Sequence, residues 1–147
     1  MKLLFMKLFV MCKHFFLIDD DEDELDIFME ALSKLQVPCK CTYAQSAEQA
    51  LEILNYLKPD VVFVDINMPR VNGFECAKKI RTKAGHAQTH IVMYSNGANE
   101  VSIEEAHRWG ASSCIKKTNS IADLVAAMKK VLDSGDAVSS LNQRSSN

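Results

Sequence analysis

The chain has 147 residues, of which 48% are hydrophobic and 24% are charged. This length suits a single domain, and this balance of residues excludes a wholly disordered chain. Seventeen Lys and Arg against nineteen Asp and Glu give a net charge of −2, which excludes a general basic surface for nucleic acid. No apolar run approaches the roughly 18–20 residues that cross a bilayer, so we expect no membrane insertion.

The first thirteen residues form an apolar and basic leader. Lys2, Lys7 and Lys13 interrupt its apolar stretch, which is therefore shorter than the hydrophobic core of a signal peptide. Five cysteines, an odd number without a C-x-x-C pair, favour a reducing compartment and buried thiols over a zinc site. We expect a cytoplasmic protein whose residues 1–13 are a candidate for disorder.

Strand-like and helix-like patterns alternate five times after the leader. Short apolar runs predict buried strands at residues 14–18, 40–44, 61–64, 90–94 and 113–116. Apolar residues three or four apart predict a helix after each strand, at residues 25–35, 47–57, 74–80, 99–109 and 121–132. Five βα units predict an α/β domain over residues 14–134, with a parallel sheet between two layers of helices.

Glycine and polar residues mark the turns and the end of this domain. In the loop of residues 66–73, Gly73 is available for a positive φ, and Gly110 is placed to cap the fourth helix. From Gly135 onward the sequence GDAVSSLNQRSSN is polar, and it predicts a disordered tail over residues 135–147.

Reactive side chains follow four of the five predicted strands. Asp19 and Asp20 end the first strand and Asp65 ends the third, while Ser95 ends the fourth and Lys117 follows the fifth. In parallel sheets, ligands bind outside the carboxyl ends of the strands, so these side chains share one edge. Three carboxylates there would repel one another without a cation, and oxygen donors with room for water suit Mg²⁺. A lysine and a hydroxyl supply the charge and the donor that a phosphoryl group needs.

Asp65 is the candidate nucleophile of this group. A carboxylate can itself accept a phosphoryl group and form an aspartyl phosphate. Asp65 alone ends the central strand, whereas Asp19 and Asp20 form a pair suited to holding metal. Asn67, two residues further on, would direct its backbone carbonyl or its amide toward the same ion.

Four segments carry a family resemblance: FLIDDDEDE, VVFVDINMPRVNG, IVMYS and GASSCIKK. Together they closely resemble the receiver domain of bacterial two-component response regulators, over residues 14 to about 133. The resemblance implies a flavodoxin-like, doubly wound (βα)5 fold with strand order 2-1-3-4-5. It implies phosphorylation of Asp65 by a sensor histidine kinase or a histidine phosphotransfer protein.

The resemblance also implies roles for the remaining site residues. Asp20, Asp65 and the carbonyl of Asn67 would hold Mg²⁺, and Asp19 would help through water. Ser95 and Lys117 would bind the phosphoryl oxygens, and the pull on Ser95 would shift the loop after strand four.

The output is predicted to be protein–protein contact. After the last helix only about a dozen polar residues remain, too few for a DNA-binding or enzyme domain. We therefore expect a stand-alone receiver, a monomer or weak homodimer, that is no enzyme beyond slow self-dephosphorylation. By family resemblance, the face of helix four, strand five and helix five would dock a downstream protein that the sequence does not identify.

Three positions depart from the family pattern. Thr118 follows Lys117 where the family usually has Pro after a cis bond; a cis bond without Pro costs about 2.5–4 kcal/mol, so we expect a trans bond. Cys114 stands where receivers often carry Tyr or Phe, which predicts that coupling runs through helix four and its loop alone, or is weaker. Asn96 replaces a small residue and predicts slower phosphoryl exchange.

Other acidic and aromatic residues near the site are interpreted as structural. The carboxylates of residues 21–26 complement the dipole at a helix start, and we assign them no chemistry. Tyr94 precedes Ser95 and, by strand alternation, faces away from it, so we do not expect it to replace the missing aromatic at position 114. The same alternation places Lys116 on the side opposite Lys117.

Alternative functions are weighed against the same residues. A receiver-like interaction module that is never phosphorylated is compatible with Thr118 and Asn96, although the intact acidic set disfavours it. A phosphatase of the haloacid dehalogenase type requires D-x-D after the strand, but Asn67 occupies the second position and cannot transfer a proton usefully. A flavin carrier needs a phosphate loop rich in Ser and Thr, whereas LIDDDEDE would repel a phosphate.

Overall fold

The structure is a computed structural model that describes residues 12–96 and 102–145. Most of the predicted leader, residues 1–11, lies outside the described residues. Residues 97–101, which include the predicted start of the fourth helix, and residues 146–147 lie outside them as well.

Five strands and five helices alternate along the described part of the chain. The strands are β1 (Lys13–Ile18), β2 (Cys39–Ala44), β3 (Val61–Asp65), β4 (His90–Ser95) and β5 (Ser113–Lys116). The helices are α1 (Glu22–Ser33), α2 (Ala47–Ile53), α3 (Gly73–Thr82), α4 (Ile103–Arg108) and α5 (Ile121–Ser145). All strand pairs are parallel, in the order β2-β1-β3-β4-β5, so the predicted flavodoxin-like fold is confirmed.

The sheet separates two apolar layers. Side chains on one face of β1 and β3 pack with α1 and α5, and this layer contains the rings of Phe15, Phe28, Phe63 and Tyr94. The opposite face packs with α2, α3 and α4. Because β1 and β3 are covered on both faces, their sequences are continuous apolar runs rather than alternating ones.

Polar caps begin and end several helices where the sequence places them. The hydroxyl of Ser46 accepts a hydrogen bond from the Gln49 N–H at 3.1 Å, at the start of α2. Ser120 does the same for the Asp123 N–H at 3.2 Å, at the start of α5. Gly110 has φ +89°, as a helix-terminating glycine requires.

The last helix is longer than predicted. The backbone of α5 continues past the expected end at residue 132 and past Gly135 to Ser145. Residues 135–145 contain no proline, and a single glycine weakens a helix by only about 1 kcal/mol. The sequence therefore does not require the helix to end at Gly135. The domain limits, 14–134, and the disorder of residues 135–147 stay predictions.

None of the helices in the described part of the chain combines the length and the hydrophobicity that a membrane span requires.

Candidate functional site

Three carboxylates meet at the carboxyl edge of the sheet and form what we call the acid pocket. Asp19, Asp20 and Asp65 each offer one oxygen, and these oxygens all lie within 4.8 Å of one another. The sheet explains the meeting, because β1 and β3 are neighbours in register and Asp19 and Asp65 end them side by side. Asp19 and Asp65 are buried, whereas Asp20 is exposed to solvent. The three predicted carboxylate ligands thus lie together, and Asp20 among them faces water.

Backbone and side-chain hydrogen bonds hold Asp19 in place. Its Oδ1 accepts a hydrogen bond from the Asp21 N–H at 3.0 Å, and its N–H donates to the Ala44 carbonyl at 3.1 Å. The hydroxyl of Tyr43 donates to the Asp19 carbonyl oxygen at 2.7 Å. Burial and the nearby carboxylates raise the pKa of Tyr43 to about 12, so this donor keeps its proton at neutral pH.

Lys117 supplies the positive charge of the acid pocket. Its Nζ donates to Asp19 Oδ2 at 2.8 Å and lies 3.5 Å from Asp65 Oδ1. Burial lowers the pKa of Lys117, but its hydrogen bond with Asp19 and the surrounding carboxylate charges outweigh burial and raise the pKa above its ordinary value. Lys116 is exposed instead, as strand alternation predicts.

The bond from Lys117 to Thr118 is trans. All peptide bonds in the described ranges 12–96 and 102–145 are trans, which confirms the expectation drawn from the missing proline. The Thr118 hydroxyl accepts a hydrogen bond from the Ser120 N–H at 3.1 Å and lies 3.5 Å from an Asp123 oxygen. Side-chain hydrogen bonds therefore shape the turn that leads from Lys117 into α5.

The pKa of Asp65, the candidate nucleophile, is raised well above its ordinary value. Burial and the charge of Asp19 raise its pKa to about 7, against the opposing effects of the Lys117 ammonium and the Asn67 N–H. That N–H lies 3.3 Å from Asp65 Oδ1. The pocket thus gathers more negative charge than one ammonium balances. Hard oxygen ligands with one side open to water fit Mg²⁺.

Asn67 is exposed beside the pocket. It follows Asp65 by two residues, in the loop between β3 and α3. The metal-binding role of its carbonyl, implied by the resemblance, stays a prediction.

Gly73 is required at the pocket for a reason that the sequence did not reveal. A Cβ at this position would lie 2.3 Å from the Asp65 carbonyl oxygen, a distance that no side chain tolerates. The expectation of a positive φ at Gly73 is wrong, since among the described glycines only Gly85 and Gly110 have one. In this loop the left-handed residue is Arg70, at φ 69°. Close backbone approach therefore explains the glycine.

Ser95, Asn96 and Cys114 are the remaining residues with a predicted effect on phosphoryl exchange or on coupling. The backbone of Ser95 ends β4 opposite Lys116, but its side chain lies outside what the structure describes. The predicted phosphoryl contact of Ser95 therefore stays a prediction, as does the effect of the exposed Asn96 on exchange. Cys114 is half-buried and packs against the α2–α4 layer, where burial raises its thiol pKa.

Two residues contact Lys117 although sequence reasoning assigned them no role. The Nζ lies 5.2 Å from the ring centroid of Tyr94 and 3.9 Å from Glu24 Oε1. A signal for Tyr94 was present, because β3 and β4 pair Asp65 with Tyr94 and paired residues project from the same face. The acidic run offered no comparable signal, since many carboxylates begin α1 and one of them turns back to the pocket.

The family is shown by a sequence comparison. The model of the family described as "Response regulator receiver domain" matches residues 15–129 of this chain. These residues run from within β1 through β5 and include the acid pocket. The chain therefore belongs to the receiver-domain family of two-component response regulators.

Individual relatives agree with this assignment. The chain is 33% identical over 85 residues to the nitrate/nitrite response regulator protein NarL of Escherichia coli. That match covers 58% of this chain and 38% of NarL, so this chain spans much less than the whole length of that relative.

Solved structures show the same fold. Chemotaxis protein CheY4 of Vibrio cholerae superposes with a TM-score of 0.69 at 24% identity, covering 82% of this chain and 98% of CheY4. The phosphorylated cyanobacterial phytochrome response regulator RcpA superposes with a TM-score of 0.68 at 23% identity, covering 81% and 90%.

Proposed function

We propose that this chain is a response-regulator receiver domain that accepts a phosphoryl group on Asp65. The donor is the phosphohistidine of a sensor histidine kinase or of a histidine phosphotransfer protein. One observation carries the proposal: an Asp65 oxygen lies in a cluster of three carboxylates, 3.5 Å from the Lys117 ammonium. A buried nucleophilic oxygen beside a fixed cation is what transfer of a charged phosphoryl group requires.

The transfer exchanges one bond to phosphorus for another. An ionised Asp65 oxygen attacks the phosphorus, a P–O bond forms, and the P–N bond breaks with its electron pair returning to the imidazole. Mg²⁺ held by Asp19, Asp20, Asp65 and Asn67 would supply positive charge that favours the ionised carboxylate and offsets repulsion of the incoming phosphate. Lys117 neutralises charge on the transferred oxygens, and we assign the Ser95 hydroxyl the matching donor role.

The raised pKa of Asp65 is consistent with this requirement for a cation. With a pKa of about 7, a large fraction of Asp65 is protonated near neutral pH, and a protonated oxygen is a poor nucleophile. A divalent cation held by these carboxylates would oppose that shift, because its positive charge would favour the ionised form of Asp65. We therefore expect phosphorylation of Asp65 to depend on Mg²⁺.

The output and location belong to the same proposal. We infer that the phosphorylated chain signals by contact with a downstream protein, acts in the cytoplasm and turns over its own aspartyl phosphate only slowly. The five cysteines, all without a disulfide, are consistent with a reducing compartment. RcpA, a protein of the same fold, is known in a phosphorylated form, which is consistent with this proposal.

Intact mass after incubation with acetyl phosphate and Mg²⁺ tests the proposal. We expect one phosphoryl adduct on the wild type, none on Asp65→Asn, and none when the metal is chelated. Asp60→Asn is the matched control, because Asp60 precedes the same strand at its opposite end and binds the His14 N–H. Absence of an adduct on the wild type, together with no binding of beryllofluoride, would instead favour the interaction module that is never phosphorylated.

A further inference from the structure

The ammonium of Lys117 lies over the face of the Tyr94 ring. Its Nζ is 5.2 Å from the ring centroid, within the range in which a ring quadrupole attracts a cation. The Tyr94 side chain is almost completely buried, and the lysine side chain is only 12% exposed. Because few water molecules reach the ammonium, the attraction is stronger than at an open surface.

Other aromatic rings keep Tyr94 in this position. Phe63 meets the Tyr94 ring edge to face, with 5.7 Å between centroids and 81° between planes. Phe63 in turn meets Phe28 of α1 at 5.0 Å and 72°. Rings packed in this way have one orientation, so the face toward Lys117 is preorganised.

The ring differs in kind from the charged groups around Lys117. Among the described residues, the carboxylates within 4.0 Å of the ammonium are those of Asp19, Asp65 and Glu24, and the first two belong to the acid pocket. Oxygens of these two carboxylates cannot serve a metal ion and the ammonium with full strength at once. An aromatic face is no ligand for a hard divalent cation, which takes oxygen donors, so the ring stays available to Lys117.

We propose that Tyr94 is a positioning residue for Lys117. The Tyr94 ring holds the Lys117 ammonium beside Asp65 when the oxygens of the acid pocket bind a metal ion. This inference rests on the proposed function, because that function is what gives Lys117 a phosphoryl oxygen to bind. Tyr94 touches no reacting atom in this scheme and acts through Lys117 alone.

A double-mutant cycle tests the positioning role. The measured quantity is the dissociation constant of beryllofluoride in the presence of Mg²⁺, by calorimetry on the full chain. We expect Tyr94→Phe to bind like the wild type and Tyr94→Leu to bind about fivefold more weakly. In a Lys117→Met background, Tyr94→Leu should cause no further loss. Equal losses in both backgrounds, or no loss in either, would overturn the proposal.

A second series avoids the packing change that leucine introduces into the aromatic layer. Fluorinated phenylalanines at position 94 keep the shape of the ring and weaken the negative charge of its face step by step. We expect the affinity for beryllofluoride to fall with each added fluorine. Affinity that does not change along the series contradicts an attraction through the ring face.

Nuclear magnetic resonance separates failure of this inference from failure of the proposed function. The ring current of Tyr94 should shift the Lys117 ε-protons upfield, in Tyr94→Phe as in the wild type but not in Tyr94→Leu. The shift should persist when Mg²⁺ is added. Its loss on metal addition overturns the positioning role, whereas a persistent shift in a chain that takes no phosphoryl group contradicts only the proposed function.

Discussion

Lys117 Nζ donates to Asp19 Oδ2 at 2.8 Å, although 98 residues separate the two in the chain. Asp19 follows β1 and Lys117 follows β5, and two other strands lie between these in the sheet. The ion pair therefore ties the far edge of the sheet to its centre. It also means that the acid pocket is part of the folded core and contributes to stability in the absence of a metal ion.

Replacing Lys117 should destabilise the protein and strengthen its binding of Mg²⁺. Lys117→Met leaves three neighbouring carboxylates without their ammonium, so we expect a loss of about 2 kcal/mol in the free energy of unfolding without metal. The same unbalanced charge attracts a divalent cation, so the dissociation constant for Mg²⁺ should fall. Urea denaturation and calorimetry measure the two quantities.

Lys116→Met is the control for this change, because Lys116 is adjacent, exposed and equal in charge. It should leave both the stability and the Mg²⁺ affinity close to those of the wild type. If the two variants behave alike, net charge rather than the local ion pair explains the effect.

Removing the Asp65 charge should stabilise the metal-free protein above neutral pH. The pKa of Asp65 is raised from 3.8 to about 7 in the folded state, so between these values the folded chain binds more protons than the unfolded chain. Stability therefore falls as pH rises through this window, by linkage. At pH 8, the free energy of unfolding of Asp65→Asn should be about 2 kcal/mol higher than that of the wild type. This difference should vanish near pH 4.

Thermal and urea unfolding across pH 4–8, with metal chelated, measure this difference. Asp26→Asn is the control, because it removes the same charge from an exposed carboxylate of α1. A stability gain for Asp65→Asn that does not depend on pH would contradict the raised pKa. Added Mg²⁺ should stabilise the wild type more than the variant, since it binds the folded carboxylates.

Gly73→Ala should damage both the fold and the acid pocket. Its Cβ would lie 2.3 Å from the Asp65 carbonyl oxygen and 2.6 Å from Ile66 Cα, so the start of α3 must move away from β3. We expect a loss of about 3 kcal/mol in stability and a weaker affinity for Mg²⁺. Circular dichroism during urea denaturation and calorimetry check the two effects.

The same substitution elsewhere should have the opposite sign. Gly135 lies within the helical backbone of α5, where Gly135→Ala should add up to about 1 kcal/mol of stability. No change at this position would contradict a helix that continues past residue 135.

Arg81→Met should loosen the loops at the amino ends of the strands, whereas the acid pocket lies at their carboxyl ends. The guanidinium donates to the carbonyls of Gly110, Ala87 and His86 at 2.8, 2.9 and 3.2 Å. It also donates to the Ser112 hydroxyl at 3.3 Å. Loss of these donors should lower the free energy of unfolding by about 2–3 kcal/mol, because several carbonyls lose a charged partner at once.

Hydrogen exchange should locate the loss from Arg81→Met in the loops before β4 and β5, with Mg²⁺ binding retained. Arg108→Met, at an exposed position of α4, is the matched control and should change little. Uniform loss of protection over the whole sheet would contradict a local role.

Local patterns were sufficient for the fold and for the outline of the pocket. Continuous apolar runs such as that of β3 predict buried parallel strands, and the carboxyl-edge rule then predicts that Asp19 and Asp65 meet. The caps at Ser46 and Ser120 were equally readable, because capping depends on residues three apart in the sequence. The side-chain chemistry at the strand ends therefore predicts a site at one edge of the sheet from the sequence alone.

Contacts between distant segments were beyond the reach of these patterns. The need for Gly73 comes from the Asp65 carbonyl across the loop, and the contacts of Lys117 with Tyr94 and Glu24 depend on how a long side chain turns after β5. Periodicity reports which face a residue occupies, but it carries no distances between elements. Packing of the strands and helices sets those distances, and with them the burial and charge that raise the pKa of Asp65.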